Sequence, residues 1–271
     1  LFLSPVGTLG GAERVLISLL QALRQSDLDV NTRVACLGDG PLINELTELG
    51  IPVSFNPLPK GVSQLGDSPA GKQSSLVRLA RLMVSSPAIL RLISGWKKQF
   101  RLEAPAWVHS NGFKTHILSA WSAPGNTPIF WHLHDFVGDR PLVRKLLKAA
   151  WRPGISALAI SKSVAVDFSR ILPECPVDVW HNTINCEVFK PGKEDGAWLD
   201  GVAGLGEGFH GLRVGLVATY ARWKGQQVFL QACAELAREF KEKVRFYVVG
   251  GPVYQTMGSQ WSEAELRDII R

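Results

Sequence analysis

Residues 1–25 read LFLSPVGTLGGAERVLISLLQALRQ: a short β-rich run, a glycine-bearing turn and an amphipathic helix in immediate succession. Val15, Leu16, Leu19, Leu20 and Leu23 recur at helical spacing, which predicts a helix from Ala12 to Gln25 with one face on a sheet. The turn Gly7-Thr8-Leu9-Gly10-Gly11-Ala12-Glu13 delivers the chain to that helix's N-terminus, where free N–H groups and the helix dipole favour an anion. A docked phosphate and a tight turn that merely needs glycine both fit a glycine pair. The spacing is not G-x-G-x-x-G. The second strand also ends near Cys36 and Leu37, with Asp39 only just beyond, so NAD binding is disfavoured.

Outward from this unit the same alternation continues. Strands are expected at Leu1 to Pro5, Thr32 to Leu37, Val53 to Asn56, Trp107 to Ser110, Ile129 to His134, Ala157 to Ile160 and Val177 to Trp180, with helical patterns between them. Strands alternating with crossover helices imply a parallel sheet in an α/β protein. Leu58 to Lys72 is rich in Gly, Pro and Ser and predicts a loop. Lys190 to Leu212 is again Gly-rich and aperiodic. The βαβ pattern then restarts with Val214 to Thr219, Gln226 to Phe240 and Val244 to Val249. The expected organisation is an N-terminal domain over 1–182, a linker over 183–212 and part of a second domain over 213–271.

The composition is globular: 271 residues, 46% hydrophobic, with a formal net charge of +6 that suits an anionic partner. No helix-turn-helix, zinc finger or aromatic RNA platform accompanies the charge, so nucleic acid is not an expected partner. Cys36, Cys175, Cys186 and Cys233 show no C-x-x-C spacing and no His pair to complete a zinc site. The N-terminal residues lack the layout of a signal peptide, and no apolar run reaches membrane-spanning length, which predicts a cytoplasmic protein able to touch the inner face of a membrane. The missing initiator Met and an end at Arg271 inside a helical pattern read as a piece of a longer protein.

Gly10-Gly11-Ala12-Glu13 after a first strand resembles the GGAE loop of family 4 glycosyltransferases, which have the GT-B architecture of two facing Rossmann-like domains. Further segments agree in order. Val108-His109-Ser110-Asn111-Gly112 is similar to the family's "vHs.g" strand end, and Pro128 through His134-Asp135 to its "P.v.t.HD" segment. Ile160-Ser161-Lys162-Ser163 matches the next strand-to-helix turn. His181-Asn182-Thr183-Ile184-Asn185 through Phe189 and Pro191 resembles "NGID…F.P", with departures at Thr183 and Asn185. In the second domain Trp223-Lys224-Gly225 resembles "KG", and Val248 through Pro252 resembles "ivGdGp". The collinearity spans nearly the whole chain and is more specific than any one motif.

The resemblance implies a retaining transfer of a sugar from a nucleotide-sugar donor, UDP- or GDP-linked, to a glycan or lipid-linked saccharide, with no cofactor and no metal. Of His132 and His134, one reads as a hydrogen-bonded structural residue; the resemblance implies that His134, at a strand's carboxyl end, lines the reaction centre and contacts the donor sugar, its backbone carbonyl stabilising developing positive charge. Gly10, Gly11, Arg222, Lys224, Gly250 and Gly251 are the candidate donor-phosphate contacts. Ala218-Thr219 stand where the family usually has a "GR" pair, so Arg222 is the candidate replacement. Glu13, Asp135, His109 and Asn182 are candidates for support; Asp135 either orients His134 or caps a helix. The family's carboxylate-rich segment for ribose and sugar would lie beyond Arg271, which implies that the piece alone is inactive.

Leu76 to Leu102 carries Arg78, Arg81, Arg91, Lys97, Lys98 and Arg101 among apolar residues, and Pro87 is expected to divide it into two helices. They read either as an interfacial pair binding anionic membrane through 76–102 or as surface helices with basic outer faces. Two rival functions stand beside glycosyl transfer: a sugar-nucleotide epimerase on the same architecture, and a non-catalytic membrane-surface or scaffold module.

Overall fold

The computed structural model describes residues 1–59, 75–192, 196–252 and 258–270, and within the helix that starts at Ser75 it describes side chains from Pro87 onward. The expected loop at Leu58 to Lys72 falls mostly outside the described residues, as do the side chains of Arg78 and Arg81. The chain divides into two compact units, Leu1–Asn185 and Cys186–Arg271.

The first unit alternates β1 (Phe2–Ser4), α1 (Gly11–Gln25), β2 (Val34–Cys36), α2 (Pro41–Glu48), β3 (Val53–Phe55), α3 (Ser75–Glu103), β4 (Val108–Ser110), α4 (Phe113–Ser122), β5 (Ile129–Leu133), α5 (Pro141–Ala150), β6 (Ile155–Ala159), α6 (Lys162–Ile171) and β7 (Val177–Val179). The strands form one sheet in the order β3-β2-β1-β4-β5-β6-β7, every pair parallel. Side chains alternate across a strand, so Phe2 joins one core with Leu16, Leu20, Leu42 and Leu46 of α1 and α2. Leu3 joins the other, with Phe100 of α3, Trp131 and Leu133 of β5 and Phe168 of α6. The inward face of α1 centres on Leu16, Ile17 and Leu20, with Val15 less buried than its spacing suggests.

One expectation is corrected: α3 runs through Pro87 as a single helix. A proline deletes one N–H from the helical ladder and crowds the carbonyl four residues back, which commonly kinks a helix, although packing can hold the helix through it. Here Trp96 and Phe100 are buried in the core, with Leu92 and Ile93 packed beside them, and the helix continues to Glu103.

The second unit contains α7 (Ala197–Val202), β8 (Leu212–Val217), α8 (Gln226–Phe240), β9 (Val244–Val249) and α9 (Glu263–Ile270), with β8 and β9 parallel. The segment expected to be a linker therefore includes a helix. Asp200 of α7 is buried, pairs with Arg213 of β8 at 2.5 Å and Arg245 of β9 at 3.0 Å, and accepts the Tyr247 hydroxyl. The Arg213 hydrogen bond holds this carboxyl well below the usual carboxylate range.

The turns after β1 and β2 press together backbone to backbone. Leu42 N–H donates to the Gly7 carbonyl at 2.9 Å, and a Cβ on Gly7 would overlap the Asp39 carbonyl carbon. No flexible side chain is available to give way there, whereas a Cβ on Gly11 meets nothing within 4 Å. Gly7→Ala should therefore lower stability by about 1–3 kcal/mol in urea unfolding. Gly11→Ala should stay within about 0.5 kcal/mol of the parent; equal effects at the two positions would contradict this packing.

Candidate functional site

The strand order reverses direction at β1: the chain moves outward through β2 and β3, then returns to place β4 on the other side of β1. In open α/β sheets, ligands bind outside the carboxyl ends of the strands at such a switch point. Gly10-Gly11 follows β1 here, and Asn111 follows β4 directly. His134 follows β5, next in the sheet.

Gly10 is the N-cap of α1, but its N–H donates to the carboxylate of Glu13 at 3.0 Å. Glu13 is buried, and burial raises its pKa although its hydrogen bonds to backbone N–H groups oppose the rise. The Gly10 amide is thus already satisfied by a side-chain anion, leaving Gly11 as the open member of the glycine pair. The supporting role assigned to Glu13 has a structural content: it closes the first turn of the helix.

His109 on β4 and His132 on β5 are buried, with His109 Nε2 3.1 Å from His132 Nδ1. The rings of His132 and His134 lie 4.1 Å apart at 40°. His134 Nε2 is 2.6 Å from Asn111 Oδ1, and Asn111 Nδ2 donates to the Ala12 carbonyl of α1 at 3.2 Å. Asn111 thereby ties together the segments following β4 and β5 and the start of α1. Asn111 lies within the V-H-S-N-G segment, and its signal in the sequence is a carboxamide immediately after a strand beside the switch point. Asp135 is exposed and accepts from Arg140 at 2.8 Å, and Arg140 is the N-cap of α5. Asn182 is exposed.

In the second unit the turns after β8 and β9 are joined by Ala218 N–H donating to Val249 O and Tyr220 N–H to Gly251 O, both at 3.0 Å. Gly250 has φ +153°, and a Cβ there would overlap the Ala218 carbonyl oxygen, so only glycine fits. Arg222 is committed within this unit, to Glu265 at 2.5 Å, to the Gly258 carbonyl at 3.2 Å and over the Trp261 ring at 3.9 Å. Lys224 is exposed just before α8 and has no ion pair among the described residues. Gln226 in the first turn of α8 is buried and donates to the Thr219 carbonyl at 2.6 Å, bracing the same turn. Among the described residues no group of three or more His, Cys, Asp or Glu side chains is arranged to hold a metal ion.

The model of the family described as Glycosyltransferase Family 4 matches residues 9–188. No curated protein sequence matches the chain. Among solved structures, HepE of Anabaena in complex with UDP-glucose superposes with a TM-score of 0.68 at 21% identity, covering 99% of this chain and 64% of that one. The apo lipopolysaccharide outer core galactosyltransferase WaaB superposes with a TM-score of 0.53 at 12% identity, covering 92% and 68%. A putative UDP-N-acetylglucosamine 2-epimerase from Listeria monocytogenes gives 0.50 at 12%, covering 99% and 65%. The chain thus spans about 64% of the length of HepE. At these identities the likeness establishes the fold, an α/β fold of the GT-B kind.

Burial pushes His109 and His134 down to about 3 and His132 to about 4 from 6.5, neighbouring histidines adding to the effect on His109 and His134. The folded state therefore binds fewer protons than the unfolded chain below pH 6.5, the ordinary histidine value. Stability from these rings is complete above that pH and is lost as the pH falls towards 3–4. Each ring contributes a slope of up to about 1.4 kcal/mol per pH unit. Urea unfolding should show stability falling between about pH 7 and 5, and His109→Gln should flatten that fall; a pH-independent midpoint in the parent would count against the buried, neutral rings.

Proposed function

Because the chain belongs to glycosyltransferase family 4, we propose that the protein transfers a sugar from a nucleotide-sugar donor, UDP- or GDP-linked, to a hydroxyl of a glycan or lipid-linked saccharide, with retention of configuration. The observation that carries this reading is the placement of His134 beside the sheet's switch point, tied through Asn111 to the glycine-led helix α1. HepE, of the same fold, is described with UDP and glucose bound, which supports a uridine-linked donor.

In the first unit, His134 is the proposed catalytic residue. Its imidazole is neutral near pH 7, so its side chain contributes hydrogen bonding rather than a positive charge, while its backbone carbonyl can face positive charge developing on the sugar. The Gly11 amide is the proposed anion contact of the first loop. In the second unit, Lys224 and the amides of Gly250 and Gly251 are the proposed contacts of the diphosphate, neutralising the leaving group as the glycosidic bond breaks. Arg222, held by Glu265 and Trp261, is proposed to shape the turn that presents Lys224 rather than to bind phosphate itself.

His134→Ala in the intact protein should lower turnover at least tenfold, about 1.4 kcal/mol of barrier. Near-parental turnover by a folded variant would reject its catalytic assignment. Lys224→Ala should weaken binding of the nucleoside diphosphate by roughly 1.5–3 kcal/mol in titration calorimetry, with little change for the acceptor. Unchanged affinity would return Lys224 to the solvent-facing surface.

A lipid-linked acceptor would bring the protein to a membrane surface, and α3 is the proposed contact. No described helix is long and apolar enough to cross a membrane. Arg91, Lys97, Lys98 and Arg101 are exposed on α3, with Leu90 and Leu102 exposed as well, while Trp96 and Phe100 anchor the helix inward. Each cation near anionic lipid contributes about 1 kcal/mol, so replacing these four with Gln should sharply reduce sedimentation with anionic vesicles. Parent protein remaining in the supernatant at low salt would defeat this surface assignment.

A further inference from the structure

Asn111 is 1% exposed, and both ends of its carboxamide are engaged. Nδ2 is 3.2 Å from the Ala12 carbonyl, which only accepts, and this fixes the orientation of the amide. The group left for His134 is Oδ1, again an acceptor only, at 2.6 Å from Nε2. The proton between them must therefore reside on His134 Nε2. Burial holds the ring neutral in the ordinary pH range, with a folded-state value of about 3, so Nδ1 keeps its lone pair. No hydrogen-bond partner of Nδ1 is found among the described residues.

Resting on the proposed place of His134 at the reaction centre, we infer that Asn111 is a positioning residue: it fixes His134 in the Nε2-protonated tautomer and leaves Nδ1 as the hydrogen-bond acceptor that the substrate meets. The complementary ligand group is a hydroxyl donor of the sugar. A ring locked in this state accepts a hydrogen bond from substrate without gaining a proton, so it orients the sugar and supplies no acid to the leaving group. The other titratable groups on the elements that meet here are His109 on β4, His132 on β5, His116 on α4 and Glu13 on α1. His109 is bonded to His132, His116 to Ser110, and Glu13 to the Gly10 amide. Asp135, next in sequence, is paired with Arg140. Asn111 is thus the group that sets the tautomer of His134.

Histidine-selective nitrogen NMR of the full chain tests this without reference to activity, the His134 signals being assigned by their loss in His134→Gln. Parent protein should show a protonated Nε2 and an unprotonated Nδ1 throughout the pH range in which it is folded. Asn111→Leu should give a mixture of tautomers. Asn111→Asp, nearly the same size, should raise the ring's pKa and produce imidazolium near neutral pH. A protonated Nδ1 in the parent would overturn the inference whatever the variants do, and so would an unchanged tautomer in a folded Asn111→Leu. In the intact protein, Asn111→Leu should lower kcat at least about tenfold with the donor KM changed less than about threefold. Asn111→Asp should gain activity as the pH is raised, where the parent is flat. If Asn111→Leu does not fold, the parent tautomer and the Asn111→Asp pH profile decide. Parent protein with the expected tautomer but no sugar transfer would sink the proposed function and leave the tautomer assignment standing, whereas active parent with parental kinetics in both variants would sink the positioning role.

Discussion

The first unit depends on β1 being the centre of its sheet, with β2 on one side and β4 on the other. Right-handed crossovers force α1 and α2 onto one face and the helices after β3 onto the other, because the chain reverses its direction of travel at that strand. Both faces of a parallel sheet must be covered, and Phe2 and Leu3 send adjacent side chains into the two cores. The same reversal brings the loops after β1 and β4 side by side at the strands' carboxyl ends, where Asn111 bonds to the Ala12 carbonyl. The place of the candidate site at the strands' carboxyl ends is therefore a consequence of winding a buried sheet in two directions.

Polar groups at those strand ends are arranged so that few are left without a partner at close range. Glu13 satisfies the Gly10 amide, Asn111 joins Ala12 to His134, and His109 meets His132. Burying imidazoles favours their neutral form, and three of them side by side reinforce that preference because charging one disfavours charging the next. His132 Nε2 nevertheless remains buried without a partner. An unpaired buried nitrogen costs stability, so the cluster is not the cheapest way to fill this part of the sheet. Under the proposed function that cost is accounted for by the end of the row, His134, which meets the substrate.

Much of this was legible in the sequence, for identifiable reasons. The period of Leu16, Leu20 and Leu23 and the strand-like runs gave the α/β alternation because helix and strand repeats differ so clearly. His134 could be placed at a strand end from the sequence because the P…HD segment is a local pattern, and it does follow β5. Asn111 was harder: its partners, Ala12 and His134, are 99 and 23 residues away, and nothing in the local sequence reports such pairings. The single helix through Pro87 was missed for the opposite reason. A local rule about proline was overridden by the tertiary anchoring of Trp96 and Phe100. The helix at Ala197–Val202 is only six residues long, too short for a periodic signal, and it is defined by the ion pairs of Asp200 with two distant arginines.

The two cations after β8 illustrate how geometry separates residues that sequence treats alike. Arg222 stands over Trp261 and pairs with Glu265, so its charge is used within the unit and its planar group is held in place. Lys224 has no such partner among the described residues, and it lies where the positive end of the α8 dipole repels a cation. A lysine there gives the unit nothing in stability. Under the proposed function the sign of that balance reverses on binding a diphosphate, because the lysine, the helix end and the amides of Gly250 and Gly251 would all attract the same anion. In that proposal Arg222 holds the turn in which Lys224 sits, because its guanidinium is already engaged by Glu265, the Gly258 carbonyl and Trp261.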